Sequence, residues 1–459
     1  MAASVTGHDP GYYLSSERLR RMVLDFIQMH DFMQDPLVFD RGEGIWVWDT
    51  RGDRYLDSIS GVWVTCLGHG NRRVAEAIFD QLQRLEFSSP ILTTNTRAVE
   101  YVEMLGQVTP EGLTTIKLLS GGSEATETAM KLVRQYFEQT GHPHKKTIIS
   151  RYFNFHGVTL GALTVTGMAD RKVPFEPLLG GVRHIAPPYC LRCPYRLTYP
   201  ECGITCARVL ESIIQYEGPD TVAAFMAEPV QLSTGNIVPP PEYWPIIREI
   251  CDRYNVMIIL DEIATGFGRL GKMWGADVFG FVPDVLCMGK GMSAGFIPMS
   301  GVAFRDEVAE VFISEDRERA FADGHTYGGN PGACAAAIAV LQEIQERNLV
   351  ERCEAMGQYL MRRLEDLRDL GVIGDIRGRG LMVGIEFVRD PATMEWFPPE
   401  TRFGIRVGKN CVHKQKMLIR YAPNWVELAP PFIITEGEID DMVGRLRTSI
   451  IEVLGELKQ

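Results

Sequence analysis

Three charged residues each follow a short apolar run: Glu228 after TVAAFMA, Asp261 after VMIIL and Lys290 after VLCMG. Such runs read as strands, and open parallel sheets bind ligands beyond the carboxyl ends of their strands, so the three can share one crevice. Any one alone is more often a solvated loop charge, and it is the three on successive strands that point to a site. Lys290 stands apart because Gly289 and Gly291 flank it. A surface lysine needs no glycines beside it, whereas a lysine approached by a bulky ligand does. A fourth element is LLSGGSEATETAMKLVRQYFE, in which Ser120-Gly121-Gly122-Ser123 precede a helix opened by Glu124 and Glu127. Apolar residues at 129, 132, 133, 136 and 137 mark the buried face of that helix. Small residues before a helix N-terminus expose backbone N–H groups, and the helix dipole favours an anion there. A plain capped helix after a tight turn accounts for the same residues.

Taken together, an amine, a carboxylate and an anion cradle call for a phosphorylated cofactor with an aldehyde for the lysine and a protonatable ring nitrogen for the aspartate. Pyridoxal 5′-phosphate has all three. Its ring withdraws electrons only while the nitrogen keeps its proton, and a neighbouring Asp261 carboxylate favours that proton. A flat ring also needs packing on its faces, for which Phe155 in YFNFHG and Ile263, two residues past Asp261, are placed.

Behind these residues lies an ordinary globular composition. The 459 residues are 45% hydrophobic and 23% charged, enough chain for a large core. Net charge is −12, from 47 basic and 59 acidic residues, with no basic run, so neither nucleic acid nor an anionic membrane is an expected partner. No apolar stretch approaches the ~18 uninterrupted residues of a membrane span. The N-terminus lacks an apolar signal core, and ten scattered cysteines fit reduced thiols, so a cytoplasmic setting is expected. The spacing predicts one amphipathic helix within the first 35 or so residues (SSERLRRMVLDFIQMHDFM), then a hairpin turning at Thr50-Arg51-Gly52-Asp53. From about residue 75, helical patterns alternate with apolar runs (TTIKLLS, KKTIIS, TVAAFMAEP, VMIILDE, DVLCMGK). Several of these are continuous, as in strands covered on both faces, which makes the fold α/β with a mostly parallel sheet. An Ala-rich helix, PGACAAAIAVLQEIQERN, then leads to DIRGRGLMVGIEFV and KMLIRYA. The expected division is a large domain, 62–334, and a smaller α+β domain built from 1–61 with 335–459.

The segments SGGSEATETAMK, FHG, AEPVQ, LDEIATGFGRLG, MGKG, HTYGGNP and RGRGLMVGIEF run in one order along the chain. In that order and spacing the sequence resembles the class III aminotransferases, pyridoxal-phosphate enzymes of the aspartate-aminotransferase fold (fold type I). The resemblance runs from about residue 35 to the C-terminus. It implies Lys290 as the cofactor lysine and Asp261 as partner of the ring nitrogen. It further implies Gly122 and Ser123 at the phosphate, Phe155 stacked on the ring and Glu228 as a supporting carboxylate. Thr326, in HTYGGNP, is implied to reach the phosphate of a neighbouring subunit, hence a homodimer with shared sites. Where the family commonly has Ser-Gly-Ser, this chain has Gly121-Gly122-Ser123, so one hydroxyl contact is missing.

On the substrate side, the ornithine-like branch carries an arginine just before the Ala-Pro-Pro motif, where this chain has Glu427, a residue expected to repel a carboxylate. Arg420 instead matches the arginine of the amine and ω-amino-acid:pyruvate branch, and Trp63, in SGVWVTCLGHG, matches its pocket tryptophan. Core packing for Trp63 and a strand-end surface charge for Arg420 are the plain alternatives. The reading is a ping-pong transfer from an amine or ω-amino acid to a keto acid, pyruvate, with Ile91, Leu232 and Ser233 setting donor size. A taurine- or β-alanine-specific pyruvate aminotransferase is a narrower alternative, an aminomutase or decarboxylase would keep Lys290 and Asp261 unchanged, and a cofactor-bound regulatory protein would have no turnover. Two further motifs compete. GFGRLGKM has Gly271-Lys272 at phosphate-loop spacing, but Met273 stands where such loops need Ser or Thr. Cys190, Cys193, Cys202 and Cys206 have a spacing compatible with structural zinc, two disulfides or free thiols, although the resemblance implies no metal.

Overall fold

The computed structural model describes residues 9–457. The single N-terminal helix expected from spacing is instead three short ones, Pro10–Leu14, Ser16–Leu19 and Met29–Gln34. Phe26 lies between the last two in a left-handed conformation (φ 60°). Leu19 is buried but Val23 and Phe26 are exposed, so only part of the apolar stripe meets a core among the described residues. An undocked helix of that length is marginal in water.

Strands β1 (Phe39–Glu43), β2 (Trp46–Asp49) and β3 (Arg54–Asp57) follow as an antiparallel meander. Its second turn falls at residues 50–53 as the spacing predicts, with Asp49 Oδ1 accepting from the N–H groups of Arg51 and Asp53 (3.0 and 2.9 Å). The central sheet contains β4 (Thr115–Leu119), β5 (Thr147–Arg151), β6 (Val182–Ile185), β7 (Val222–Ala227), β8 (Met257–Asp261), β9 (Val285–Met288) and β10 (Ser300–Phe304). Their order is β4-β10-β9-β8-β7-β5-β6. The run from β9 to β6 is parallel, and β10 alone opposes both its neighbours. All residues of β7, β8 and β9 are buried, which is why their sequences are continuous apolar runs rather than alternating ones.

Helix Gly122–Gln139 packs on the central strands with Ala129, Leu132, Val133 and Phe137 buried, as its periodicity indicates. The Ala-rich segment forms Pro331–Glu346, with proline in its first turn and the Asn330 side chain accepting from Ala333 N–H (3.0 Å). It is buried along nearly its whole length against helices Arg72–Leu82 and Thr96–Gly106. The C-terminal part adds β11 (Ile373–Arg379), β12 (Met382–Phe387), β13 (Met417–Leu418), β14 (Arg420–Ala422) and β15 (Trp425–Leu428). KMLIRYA is therefore two strands. β13 joins β3 in parallel, while β14 closes a second four-stranded sheet, β11-β12-β15-β14.

Among the described residues no helix is long and apolar enough to cross a membrane. Cys190, Cys193, Cys202 and Cys206 line one small cavity as free thiols. No cluster of three or more His, Cys, Asp or Glu among the described residues is arranged to hold a metal ion. Burial, reinforced by the other three cysteines, pushes the Cys206 thiol up to about 12.

Trp244 ties helix Tyr243–Arg253 to the segment beyond β7. Its ring stacks on Phe281 (centroids 4.7 Å, 10° apart) and its Nε1–H donates to the Pro229 carbonyl (3.2 Å). Trp244→Ala is expected to cost about 3–5 kcal/mol, read as a lowered thermal unfolding midpoint at unchanged helix content.

Candidate active site

Strands β7, β8 and β9 are neighbours and parallel, so the residues just past their carboxyl ends share one edge of the sheet. Glu228, Asp261 and Lys290 accordingly line one cavity of about 420 Å³, with Gly122, Ser123, Phe155, Leu232 and Ile263 also in its wall. That volume lies within the range of small-molecule sites.

Lys290 opens a 3₁₀ turn, Lys290–Met292, with φ at 43°. A non-glycine residue there carries backbone strain, a condition concentrated at functional sites. The flanking glycines serve protein packing rather than ligand access. A Cβ on Gly289 would meet Ile263 Cγ2 at 3.3 Å, and one on Gly291 would meet Phe267 Cβ at 3.1 Å. Burial lowers the Lys290 amine from its ordinary 10.5 to about 8, opposed by the carboxylates of Asp261 and Glu228. The amine is thus half uncharged near pH 8, with a smaller uncharged fraction at neutral pH.

Asp261 is fixed from two sides. Oδ1 accepts from Ile263 N–H (3.0 Å), and Oδ2 is 2.7 Å from Nδ1 of His156. Asn154 Nδ2 donates to His156 Nε2 (3.0 Å), which assigns the ring proton to Nδ1 and orients it at the carboxylate. Sequence reading gave His156 no role. Its only trace there is the FHG motif. Glu228, whose pKa is raised by burial, spends both oxygens on backbone, accepting from Phe155 N–H and Leu232 N–H (each 2.9 Å). It positions the Phe155 ring and the loop beyond β7.

Gly122 is the first residue of the 18-residue helix, and Glu124 reaches back to accept from Ser120 and Gly121 N–H (3.0 and 3.2 Å). Ser123 Oγ accepts from Val158 N–H (3.0 Å), leaving its own proton to donate. This approach requires Gly157, at φ 131°, where a Cβ would fall 2.4 Å from Ser123 Oγ. Ile263 lies against Gly122, whose Cβ would come 3.2 Å from Ile263 Cδ1.

Of the substrate-side residues, Leu232 lines the Lys290 cavity, whereas Trp63 and Arg420 lie next to Lys290 without lining that cavity. The Trp63 ring centroid is 5.2 Å from Lys290 Nζ and 5.3 Å from Arg420 Cζ. Both are carried by the smaller sheets, held together by Ala429 N–H donating to the Ser58 carbonyl (2.7 Å) and Ser60 Oγ to the Ala429 carbonyl (2.7 Å). Arg269, in the phosphate-loop look-alike GFGRLGKM, is buried and donates to Leu381 O, Pro430 O and Ser60 Oγ (3.0, 2.7 and 3.1 Å). That segment is a brace. Ser233 is buried in the turn Leu232–Thr234 behind the cavity wall. Ile91 and Thr326, both exposed, line a different cleft of about 1000 Å³ and not the Lys290 cavity. Asp25, Phe26 and Arg171, which the sequence did not single out, also line the Lys290 cavity, with the Arg171 guanidinium 4.0 Å above the Phe26 ring.

A flat phosphorylated aldehyde suits this donor set: free N–H groups and a hydroxyl at a helix N-terminus, an oriented carboxylate, and an amine with a lowered pKa. The mostly parallel sheet with smaller sheets beside it is the fold of pyridoxal-phosphate enzymes of fold type I. Residues 28–450 match the family model of aminotransferase class III, and the chain belongs to that family. It is 33% identical over 421 residues to a putrescine–pyruvate aminotransferase of Pseudomonas aeruginosa, covering 91% of each chain. The crystal structure of an (S)-enantioselective omega-transaminase from Thermomicrobium roseum superposes with a TM-score of 0.92 at 36% identity, over 97% of this chain and 99% of that one. An amine transaminase from an uncultivated Pseudomonas species, solved with pyridoxal phosphate bound, gives 0.89 at 32% identity, over 94% and 99%. The chain is thus a pyridoxal-phosphate-dependent aminotransferase.

Two outcomes follow from this geometry. Because the folded-state pKa of Lys290 lies near 8 rather than 10.5, the uncharged amine fraction rises through pH 8. The rate at which cofactor-free protein captures pyridoxal phosphate, trapped by borohydride, should rise and level above that pH instead of climbing toward 10.5. Gly157→Ala should weaken cofactor retention about tenfold or more, measured by equilibrium dialysis, because the added Cβ drives Ser123 Oγ and the helix N-terminus apart.

Proposed function

We propose that the chain moves an amino group from an amine or ω-amino acid to pyruvate, with Lys290 and Asp261 as its catalytic pair. The observation that carries this reading is the grouping of Lys290, Trp63 and Arg420 side by side, with the Trp63 ring close to both the amine and the guanidinium. An apolar ring and a guanidinium lie beside the reacting amine, so both an uncharged amine and a short keto acid can be accommodated. When bound, the cofactor supplies an electron sink for the substrate carbon. Lys290 Nζ would accept the proton from the carbon bearing the substrate nitrogen and deliver it to the cofactor carbon that carried the aldehyde, and the same transfers run backwards with the keto acid. Asp261, oriented by His156, keeps the proton on the ring nitrogen. Gly122 and Ser123 hold the phosphate, while Phe155 and Ile263 pack on the ring. Arg420 binds the keto-acid carboxylate. The amino group would stay on the cofactor after the first product leaves and before pyruvate arrives, which makes the reaction ping-pong.

Thr326 and Ile91 belong, in this reading, to the site of a second subunit. Their exposure in a common cleft outside the Lys290 cavity supports a homodimer in which each chain completes its partner's pocket. The smaller domain, 1–61 with 335–459, is supported by the pairing of β3 with β13.

Borohydride reduction of the holoenzyme should fix an adduct at Lys290, located by peptide mass spectrometry, and Lys290→Ala should lower turnover by about 10²–10⁴-fold or more. A donor panel of β-alanine, taurine, a diamine, 1-phenylethylamine and ornithine, with and without pyruvate, tests the substrate class. Turnover confined to ornithine, or independent of pyruvate, would refute the reading.

A further inference from the structure

Glu427 has a charge that neither strand pairing nor the roles above require. It lies on β15 directly opposite Arg420 on β14, is fully buried, and accepts from Gly235 N–H through Oε1 (3.0 Å). Its Oε2 is 3.7 Å from Arg420 Nε, beyond hydrogen-bond reach. Neither atom has another partner, and Trp63 Nε1, beside Arg420, is also buried without an acceptor. Buried polar atoms are rarely left so, and here three gather around one guanidinium. The remaining charges facing Glu427 are Arg377 on β11, Glu228 past β7 and Lys290 past β9. Arg377 is already engaged, donating to Asp375, Glu386 and the Thr234 carbonyl (3.0, 2.9 and 3.0 Å). Apart from Lys290, whose lowered pKa leaves it partly uncharged, Arg420 is the cation among the described residues left to answer Glu427.

We propose that Glu427 is a specificity-determining residue that retains Arg420 loosely in the resting site, so that a carboxylate-bearing substrate binds only by drawing the guanidinium away from it. The inference rests on the reading of Arg420 as the carboxylate site. A substrate carboxylate offers Arg420 a two-pronged, charge-assisted contact that Glu427, at 3.7 Å, does not make. Even with Arg420 beside it, burial raises the Glu427 carboxyl to about 8, so the ion pair is fully formed only above that pH, and once Arg420 has turned an unpaired buried anion is disfavoured further. An uncharged amine leaves the pair in place. Glu427 therefore handicaps carboxylates as a class, and donors carrying one more than donors without.

The test uses holoenzyme above pH 8, where Glu427 is ionised, and propionate, a carboxylate with neither amine nor carbonyl to react. Glu427→Gln retains an acceptor for Gly235 N–H, and Glu427→Leu removes polarity altogether, so one survives if the other folds poorly. Calorimetric titration should show propionate binding about tenfold tighter in each than in the wild type. Selectivity for β-alanine over 1-phenylethylamine should rise by a similar factor. On an Arg420→Ala background the same substitutions should leave propionate affinity unchanged. Unaltered propionate affinity in both single variants, or an equal gain without Arg420, overturns the inference alone. A wild-type chain that takes up no pyridoxal phosphate at Lys290 overturns the transaminase reading, and this inference with it.

Discussion

The charge balance on the Lys290 amine is the interaction on which the site depends. Burial disfavours the ammonium, while the carboxylates of Asp261 and Glu228 favour it, and the balance falls near 8. A fully solvated lysine would remain protonated and inert toward a carbonyl at physiological pH. A lysine buried without carboxylates would lose its proton more readily still, but would leave nothing to hold a ring nitrogen. The balance exists because β7, β8 and β9 are adjacent and parallel, so that one sheet edge collects two acids and one base.

Around that centre, each polar group is held by backbone or by a partner with a fixed proton. His156 is locked between Asn154 and Asp261. Glu228 clamps the Phe155 and Leu232 amides. Ser123 accepts from Val158. Prearranged dipoles of this kind need little reorganisation when charge develops. The price is packing tolerance: Gly157 and Gly289 admit no side chain without displacing Ser123 or pressing on Ile263.

The substrate side is organised differently. Trp63 follows β3 and Arg420 opens β14, and the two meet because the N-terminal meander is joined to the C-terminal strands through β13 and the Ser58, Ser60 and Ala429 contacts. Glu427, expected from sequence to repel a carboxylate directly, instead faces the arginine across a strand pair. Its effect on substrates passes through Arg420. Specificity then depends on competition between two acids, one built in and one brought by the substrate.

Sequence alone determined what is local. Continuous apolar runs marked β7, β8 and β9, small residues before a periodic stretch marked the helix start at Gly122, and strand-end charges picked out Glu228, Asp261 and Lys290. Each depends on residues within a turn or a strand of one another. The tertiary structure decided the rest. His156 meets Asp261 across 105 positions. Arg420 meets Glu427 only in one strand register, and a one-residue slip would send their side chains to opposite faces. The N-terminal stripe that promised one helix broke into three, and Ile91 and Thr326 gathered in a separate cleft. Periodicity reports which face of a segment is apolar. It does not report what that face will meet, because the partner lies elsewhere in the chain and is brought there only by folding.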